Sequence, residues 1–243
     1  MQIESIHRFP VKSMAGETLP RAWLMHDGLV GDRAHALYAP GRNRRFPWYT
    51  GRQHPPLVRH AARYPDPPVP RHTEASRPLG PEAAALDVAV TSPEGLTVEL
   101  DDPMFLAALP GPDGEALEAL RDARGFPDAA PVSLLGNATV AALGEALGMA
   151  LTPERFRMNL MLDGLEAFGE GALVGRRLRV GGAVLEVTEG CERCKMITID
   201  PSDASLAPQV LKHVLERHDG IVGLYASVVQ EGEVAAGDAV EVA

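Results

Sequence analysis

The chain has 243 residues, of which 45% are hydrophobic and 23% charged, proportions typical of one large or two small folded domains. Its formal net charge of −10 argues against general binding to nucleic acid or to anionic membranes. The N-terminus lacks the basic start of a signal peptide, and no apolar run approaches the roughly 20 residues that span a bilayer. Only two cysteines are present. We therefore expect a soluble cytoplasmic protein.

The first hundred residues predict mainly short strands, because segments rich in Val, Leu, Ile, Trp and Tyr are separated by Gly, Pro and Asp. Strands are predicted at residues 2–9, 18–24, 34–39 and 57–64, followed by a hairpin of residues 86–91 and 96–100. Residues 65–81 contain six prolines and are predicted to form an irregular surface loop.

Helical spacing appears in the rest of the chain, where residues 113–124, 137–147 and 209–217 are predicted helices. Further strands are predicted at residues 158–162, 176–180, 183–188, 223–229 and 239–242. The predicted fold class is mainly β with some α-helix (α+β). The sequence has no alternating βαβ run, Walker-type loop or dinucleotide fingerprint, which disfavours a simple NAD-dependent or nucleotide-triphosphate enzyme.

Both cysteines lie in one short segment, Gly190-Cys191-Glu192-Arg193-Cys194-Lys195. The strand before it and the apolar residues 196–200 after it predict two extended stretches that meet at a Gly-Cys turn. Cationic neighbours favour a thiolate, the form of cysteine that attacks substrates and binds metals. Arg193 and Lys195 therefore make Cys191 the predicted centre of a site.

Four interpretations of the Cys-x-x-Cys pair remain open. Zinc would need two further ligands from histidines or carboxylates. A thioredoxin-like redox pair would normally open a helix, whereas a strand pattern follows here. The thiols could also be buried and inert, or Cys191 could bind a soft transition metal that a cofactor carries. Spacing alone does not choose among these interpretations.

Residues 31–63 form a basic stretch in an acidic chain. Against one acid, Asp32, they contain seven arginines: Arg33, Arg42, Arg44, Arg45, Arg52, Arg59 and Arg63. The planar guanidinium group suits phosphate, so the stretch predicts a site for a small anion. The alternative is a solvated basic loop with partners in acidic segments elsewhere.

Several motifs resemble the MOSC domain, the C-terminal domain of molybdenum-cofactor sulfurases. They are Glu154-Arg155-Phe156-Arg157-Met158-Asn159, Gly175-Arg176-Arg177-Leu178-Arg179-Val180-Gly181, Gly190-Cys191-Glu192-Arg193-Cys194 and Thr198-Ile199-Asp200-Pro201. Three further motifs resemble the domain that precedes MOSC in many family members. They are Phe9-Pro10-Val11-Lys12-Ser13, Gly31-Asp32-Arg33 and Tyr49-Thr50-Gly51-Arg52-Gln53. The resemblance covers nearly the whole chain. It implies a MOSC β-barrel core at residues 101–243, preceded by a β-rich, barrel-like N-terminal domain at residues 1–100.

The resemblance also implies a molybdenum cofactor, a pterin whose dithiolene binds the metal. By position in the family motifs, Cys191 is the expected molybdenum ligand and catalytic residue. The remaining expected cofactor-binding residues are Lys12, Ser13 and Arg33 at the pterin phosphate, Arg157 and Asn159 near the pterin, and Arg52 in an Arg-Gln pair. The chain departs from the pattern at Asp128-Ala129-Ala130-Pro131, where related reductases tend to have Thr or Ser before the proline.

The amidoxime-reducing component and bacterial reductases of N-hydroxylated compounds are the relatives that the motifs suggest. Their resemblance implies a two-electron reduction that removes an N-bound oxygen from a small-molecule substrate as water. No ferredoxin-like extension is present, so a separate electron-donor protein is expected. No aminotransferase-like domain is present either, so pyridoxal phosphate is not expected. The alternative is a sulfur or molybdenum-cofactor carrier that uses a persulfide on Cys191.

Overall fold

The computed structural model describes residues 1–40, 47–66, 68, 87–122 and 124–243. Its strands are β1 (Gln2–Arg8), β2 (Glu17–Leu19), β3 (Arg21–Met25), β4 (Gly28–Leu29), β5 (His35–Tyr38), β6 (Trp48–Tyr49), β7 (Ala61–Arg63), β8 (Ala89–Thr91), β9 (Thr97–Glu99), β10 (Glu118–Arg121), β11 (Val132–Gly136), β12 (Leu160–Asp163), β13 (Arg177–Val180), β14 (Ala183–Glu192), β15 (Ile221–Gln230), β16 (Gly232–Ala235) and β17 (Val240–Val242). Its α-helices are α1 (Pro103–Ala108), α2 (Asn137–Leu147), α3 (Pro153–Phe156) and α4 (Pro208–Arg217). Short 3-10 helices lie at Pro55–Arg59, Pro112–Gly114, Gly169–Leu173 and Lys195–Thr198. The predicted α+β class, mainly β, is confirmed.

The largest sheet draws strands from both ends of the chain. Its order is β17-β13-β14-β15-β11-β12-β1-β2. β1 pairs antiparallel with β12, while β11 and β12 pair in parallel. The first strand is therefore built into the sheet that the second half of the chain supplies, and residues just after β1 lie close to those just before β12. The predicted boundary between residues 100 and 101 stays a prediction.

Three small sheets, with orders β10-β5-β6, β16-β3-β4 and β7-β8-β9, complete the strand arrangement of the described residues. Apolar side chains divide into three clusters. One packs against the large sheet, a second joins β5, β7 and β8, and a third surrounds α2 and α4 and includes Cys191. Burial of these side chains provides the main stabilising term of the fold. No helix among the described residues is long and apolar enough to cross a membrane.

Three predictions about local structure are wrong. The single strand at residues 18–24 is two strands, because Pro20 has no N–H and the chain changes sheets there. The predicted helix at residues 113–124 is a short 3-10 helix followed by β10, which pairs with β5. The predicted Gly-Cys turn is absent, since β14 runs through Cys191 to Glu192 and a 3-10 helix replaces the strand expected at residues 196–200.

The helix predicted at 137–147 is found with the same bounds, and the hairpins of β13 with β14 and of β8 with β9 are found with shifted ends. The segment predicted as a strand at residues 57–64 begins as a 3-10 helix and becomes β7. Most of the loop predicted for residues 65–81, together with Arg42, Arg44 and Arg45, lies outside the described residues.

Gly223 in β15 supports the wall of the site described below. It has a φ of +82°, and a Cβ atom there would lie 2.8 Å from the carbonyl oxygen of Leu134 and 2.7 Å from Cε of Met158. We expect Gly223→Ala to lower the free energy of unfolding by about 3 kcal/mol, from left-handed strain and overpacking together. Urea denaturation would measure the change.

Gly175→Ala is the matched control, because Gly175 has a similar φ of +77° and open space around its Cα. It should cost only about 1 kcal/mol, the strain contribution alone. Equal losses in the two variants would contradict the close packing around β15.

Candidate functional site

One cavity of about 280 Å³ collects most of the predicted site residues. Its wall includes the segment after β1, the residues before β5 and after β6, the end of α3 and the segment from Cys191 to Ile197. Six of the seven predicted residues line it: Lys12, Ser13, Arg33, Arg52, Arg157 and Cys191. The fold thus brings basic motifs from the first half of the chain to the thiol in the second half.

Lys12 places a buried ammonium group at the cavity wall. Its Nζ donates to the carbonyl oxygen of Phe126 at 3.0 Å and to Oδ1 of Asp128 at 2.5 Å. Burial lowers the pKa of Lys12, the carboxylate of Asp128 partly offsets that shift, and two neighbouring arginines add to it. The ammonium group is therefore held by one carboxylate in a strongly cationic neighbourhood.

Arg33 is fixed by Asp32 and Phe9. Asp32 accepts a hydrogen bond from the backbone N–H of Phe9 at 2.8 Å and pairs with the Arg33 guanidinium. That guanidinium lies 5.1 Å from the centre of the Phe9 ring. Burial by itself would lower the pKa of Arg33, but the carboxylates of Asp32 and Asp128 outweigh it and raise the pKa. Arg33 is a permanent cation at the cavity.

Arg157 is the least compensated cation of the group. Its guanidinium lies 4.3 Å from the centre of the Phe9 ring, and Nη1 donates to the carbonyl of Met14 at 2.6 Å. Within the described part of the chain, its buried Nη2 has no hydrogen-bond partner. Burial and the nearby Arg33 lower the pKa of Arg157 to about 9, so it stays charged at neutral pH. An unpaired buried donor is costly, and an anion in the cavity would satisfy it.

Three of the residues around the cavity have left-handed backbone conformations. Ser13 has φ of 69°, Arg33 of 51° and Arg157 of 56°. Such values are uncommon for residues other than glycine and persist only where the surrounding structure enforces them. The local backbone is thus shaped to aim a hydroxyl group and two guanidinium groups at one place.

Cys191 lies near the end of β14 and is 2% exposed. Nη1 of Arg193 lies 2.9 Å from its Sγ, so a cation touches the thiol directly. The phenol of Tyr225, on the paired strand β15, also lies against the thiol. Burial, together with the proximity of Cys191, raises the pKa of Tyr225, which therefore keeps its proton. Cys194 lines the same cavity but is exposed, so the two cysteines are not equivalent.

The end of α3 connects the cationic residues to the thiol. Nη2 of Arg33 donates to the carbonyl of Arg157 at 2.8 Å. Nη2 of Arg193 donates to the preceding carbonyl, that of Phe156, at 2.6 Å. These two carbonyls belong to the unpaired set that every helix leaves at its C-terminal end. Consecutive peptide groups therefore position both halves of the site.

Asn159 is the one predicted site residue that does not line the cavity. It is buried, and its Oδ1 accepts hydrogen bonds from the backbone N–H and Oγ of Ser133 at 3.1 and 3.0 Å. Its Nδ2 donates to the carbonyl of His7 at 3.3 Å. Asn159 thus joins β1 to β11 and holds Ser133, which does line the cavity. Arg52 lines the cavity, and its carbonyl accepts a hydrogen bond from Nζ of Lys195 at 3.4 Å.

Sequence reasoning did not select several further residues of the wall, among them Thr50, Asp128, Arg155 and Tyr225. Arg155 stands two positions before Arg157 in the same motif, and its ion pair with Asp200 at 2.5 Å anchors the 3-10 helix after the cysteines. In the sequence, Asp128 is notable only as part of a segment that lacks the hydroxyl groups of related reductases. Tyr225 has no local signal, because its place beside the thiol depends on strand pairing.

The donor set fits an anion and a soft metal. Lys12, Arg33 and Arg157 with the hydroxyl of Ser13 suit a phosphate group, and the unpaired Nη2 of Arg157 is a donor such a group would use. A thiol beside a guanidinium suits a soft metal ion. Among the described residues, no group of three or more His, Cys, Asp or Glu side chains could hold a metal.

Fold and site together define an α+β protein in which one cavity combines a cluster of cations with a thiol. Residues 121–241 match the MOSC domain, and residues 1–103 match the MOSC N-terminal beta barrel domain. The chain therefore belongs to the MOSC domain family.

Two curated relatives and one solved structure are similar to parts or all of the chain. Mitochondrial amidoxime-reducing component 1 of Danio rerio is 37% identical over 76 residues, which cover 31% of this chain and 23% of the relative. Molybdenum cofactor sulfurase of Caenorhabditis elegans is 31% identical over 90 residues, which cover 36% of this chain and 12% of the relative. The YUAD protein of Bacillus subtilis covers 99% of this chain and 94% of its own, with a TM-score of 0.52 and 15% identity, a likeness of fold alone.

The contact between Arg193 and Cys191 predicts the reactivity of the thiol. In a Cys194→Ser background, Arg193→Gln should slow alkylation of Cys191 by iodoacetamide at pH 7 by about threefold to tenfold, because a charged hydrogen bond to the thiolate is lost. Lys195→Gln is the control, since Lys195 donates to the carbonyl of Arg52 and should leave the rate nearly unchanged. Equal slowing in both variants would mean that general charge, not the direct contact, activates the thiol.

Proposed function

We propose that the protein binds a molybdenum cofactor in this cavity and reduces N-hydroxylated compounds. One observation carries the proposal: the cluster of Lys12, Arg33 and Arg157 lines the same cavity as Cys191. The names of the two curated relatives support a molybdenum-related function. The shares of those relatives that this chain matches are small, so substrate class and cofactor are our inference for this protein.

Several residues at the cavity would have a part in holding the cofactor. Lys12, Ser13, Arg33 and Arg157 would bind its phosphate, and the thiolate of Cys191 would complete the coordination of its metal. Arg193 would place its positive charge 2.9 Å from the sulfur that coordinates the metal. Tyr225, with its raised pKa, can donate a hydrogen bond next to the same sulfur. When bound, the cofactor supplies the two-electron redox chemistry.

The net reaction is balanced by two electrons and two protons. The N–O bond of the substrate breaks, the nitrogen gains one hydrogen and the oxygen leaves as water. A separate electron-donor protein would supply the electrons. The low exposure of Cys191 would limit access of water to the reacting position.

A sulfur or cofactor carrier with a persulfide on Cys191 is the second candidate. The arrangement around the thiol would suit a persulfide, which also benefits from the cation of Arg193. A pure sulfur carrier has no need of a buried phosphate site, however. The cation cluster therefore favours the enzyme that retains its cofactor.

Metal analysis separates the two candidates. Protein produced in a host that makes the cofactor should contain stoichiometric molybdenum by mass spectrometry, and Cys191→Ala should lose it because the soft ligand is gone. Cys194→Ser should keep the metal, since Cys194 is exposed and lies apart from the guanidinium contact. A molybdenum-free protein with a trapped persulfide on Cys191 would sink the enzyme hypothesis.

The phosphate cluster has its own test. Lys12→Ala combined with Arg33→Ala should abolish retention of the pterin, measured by fluorescence of the oxidised pterin released from denatured protein, because a buried and a partly buried cation are removed. Arg177→Ala combined with Arg21→Ala is the control, as both arginines pair with glutamates on the exposed surface. Full pterin content in the cluster variant would place the phosphate elsewhere.

A further inference from the structure

Asp128 makes the contact to Lys12 that an entering phosphate would make. The distance from Nζ of Lys12 to Oδ1 of Asp128 is 2.5 Å, and the carboxylate lies at the cavity wall. The side chain of Asp128 is 59% exposed, whereas that of Lys12 is 6% exposed. A carboxylate thus reaches from the more open side of the cavity into a buried cation cluster.

The two carboxylates of the cluster differ in their attachment. Asp32 is buried, accepts from the backbone N–H of Phe9 and pairs with Arg33, so it is part of the framework. For Asp128, the pairing with Lys12 is the side-chain contact that the structure describes. Counted over the described residues, the cations Lys12, Arg33 and Arg157 and these two carboxylates sum to a net charge of +1. Neutralising Asp128 would raise this to +2 without disturbing the pair of Asp32 and Arg33.

Asp128 also interacts with the cations that it does not touch. Burial by itself would raise its pKa, but Lys12, Arg33 and Arg157 outweigh that effect and lower it. The Asp128 carboxylate in turn helps to raise the pKa of Arg33. The interaction therefore extends beyond Lys12 to both arginines of the cluster.

We infer that Asp128 is an internal counterion that stabilises the cation cluster of the cofactor-free protein and competes with a phosphate group for Lys12. This rests on the proposed function, in which the cluster takes the cofactor phosphate. Asp128 thereby determines how tightly the cavity holds that group. It does not touch the reacting atoms and acts through the charge of the pocket.

The competition has a signature that a merely structural residue would not give. Removing the charge of Asp128 leaves the empty cluster with more mutual repulsion, so the phosphate-free protein should become less stable. The same change removes repulsion between the carboxylate and a bound phosphate, so phosphate should bind more tightly. Loss of a structural contact would instead weaken both stability and binding.

The experiment uses protein produced in a host that does not make the cofactor. Inorganic phosphate is the probe, and its binding is measured by calorimetric titration at pH 7 and constant ionic strength. Asp128→Asn should lower the melting temperature without phosphate and lower the phosphate dissociation constant about tenfold, the effect of one like charge a few ångströms away in a partly buried site. Asp128→Ser carries the same expectation and serves if the asparagine variant folds poorly.

Asp122→Asn is the matched control, because Asp122 lies on the same connection but pairs with Arg124 outside the cavity. It should leave the phosphate affinity within about twofold of the parent value. Unchanged or weaker phosphate binding in both Asp128 variants would overturn the inference. Absence of phosphate binding in every variant would also overturn the inference about Asp128. In that case, stoichiometric molybdenum in protein from a cofactor-producing host would still support the proposed function.

Discussion

The structure depends on the burial of several positive charges in one small cavity. Moving an ion out of water is expensive, and the cost is recovered only through close counter-charges and hydrogen bonds. Lys12 pairs with Asp128, and Arg33 pairs with Asp32. Arg157 contacts the carbonyl of Met14 and the ring of Phe9. The compensation is incomplete at Arg157, whose pKa is depressed to about 9. A fold that maintains this imbalance is prepared for an anion.

Sheet topology makes the cluster possible. Lys12 follows β1 and Arg157 shortly precedes β12, and these strands are neighbours in the large sheet although they lie far apart in sequence. Asn159 strengthens the junction by bonding to Ser133 and to the carbonyl of His7. Loss of register between β1 and β12 would separate the cations. Stability and site geometry therefore depend on the same strand pairing.

Most secondary-structure elements could be predicted from sequence periodicity, and several residues that line the cavity could be predicted from family motifs. Periodicity and turn residues located α2, α4 and the hairpin of β13 with β14, and family motifs located Lys12, Arg33 and Cys191. The helix predicted at residues 113–124 was wrong because Leu117 and Leu120 suit a helix locally, while pairing with β5 decides the structure. Tyr225 and Asp128 act through contacts between distant segments, which local patterns do not contain.

The two halves of the site are coupled through one bend of the backbone. Arg157 leaves α3 in a left-handed conformation, so the carbonyls of Phe156 and Arg157 take separate partners, Arg193 and Arg33. Arg193 in turn contacts the sulfur of Cys191. A change in the cation cluster that shifted this bend would also move the cation beside the thiol. The proposed anion binding at one end of the cavity and the proposed chemistry of the thiol at the other would therefore not be independent, and a variant of either half should be judged by its effect on both.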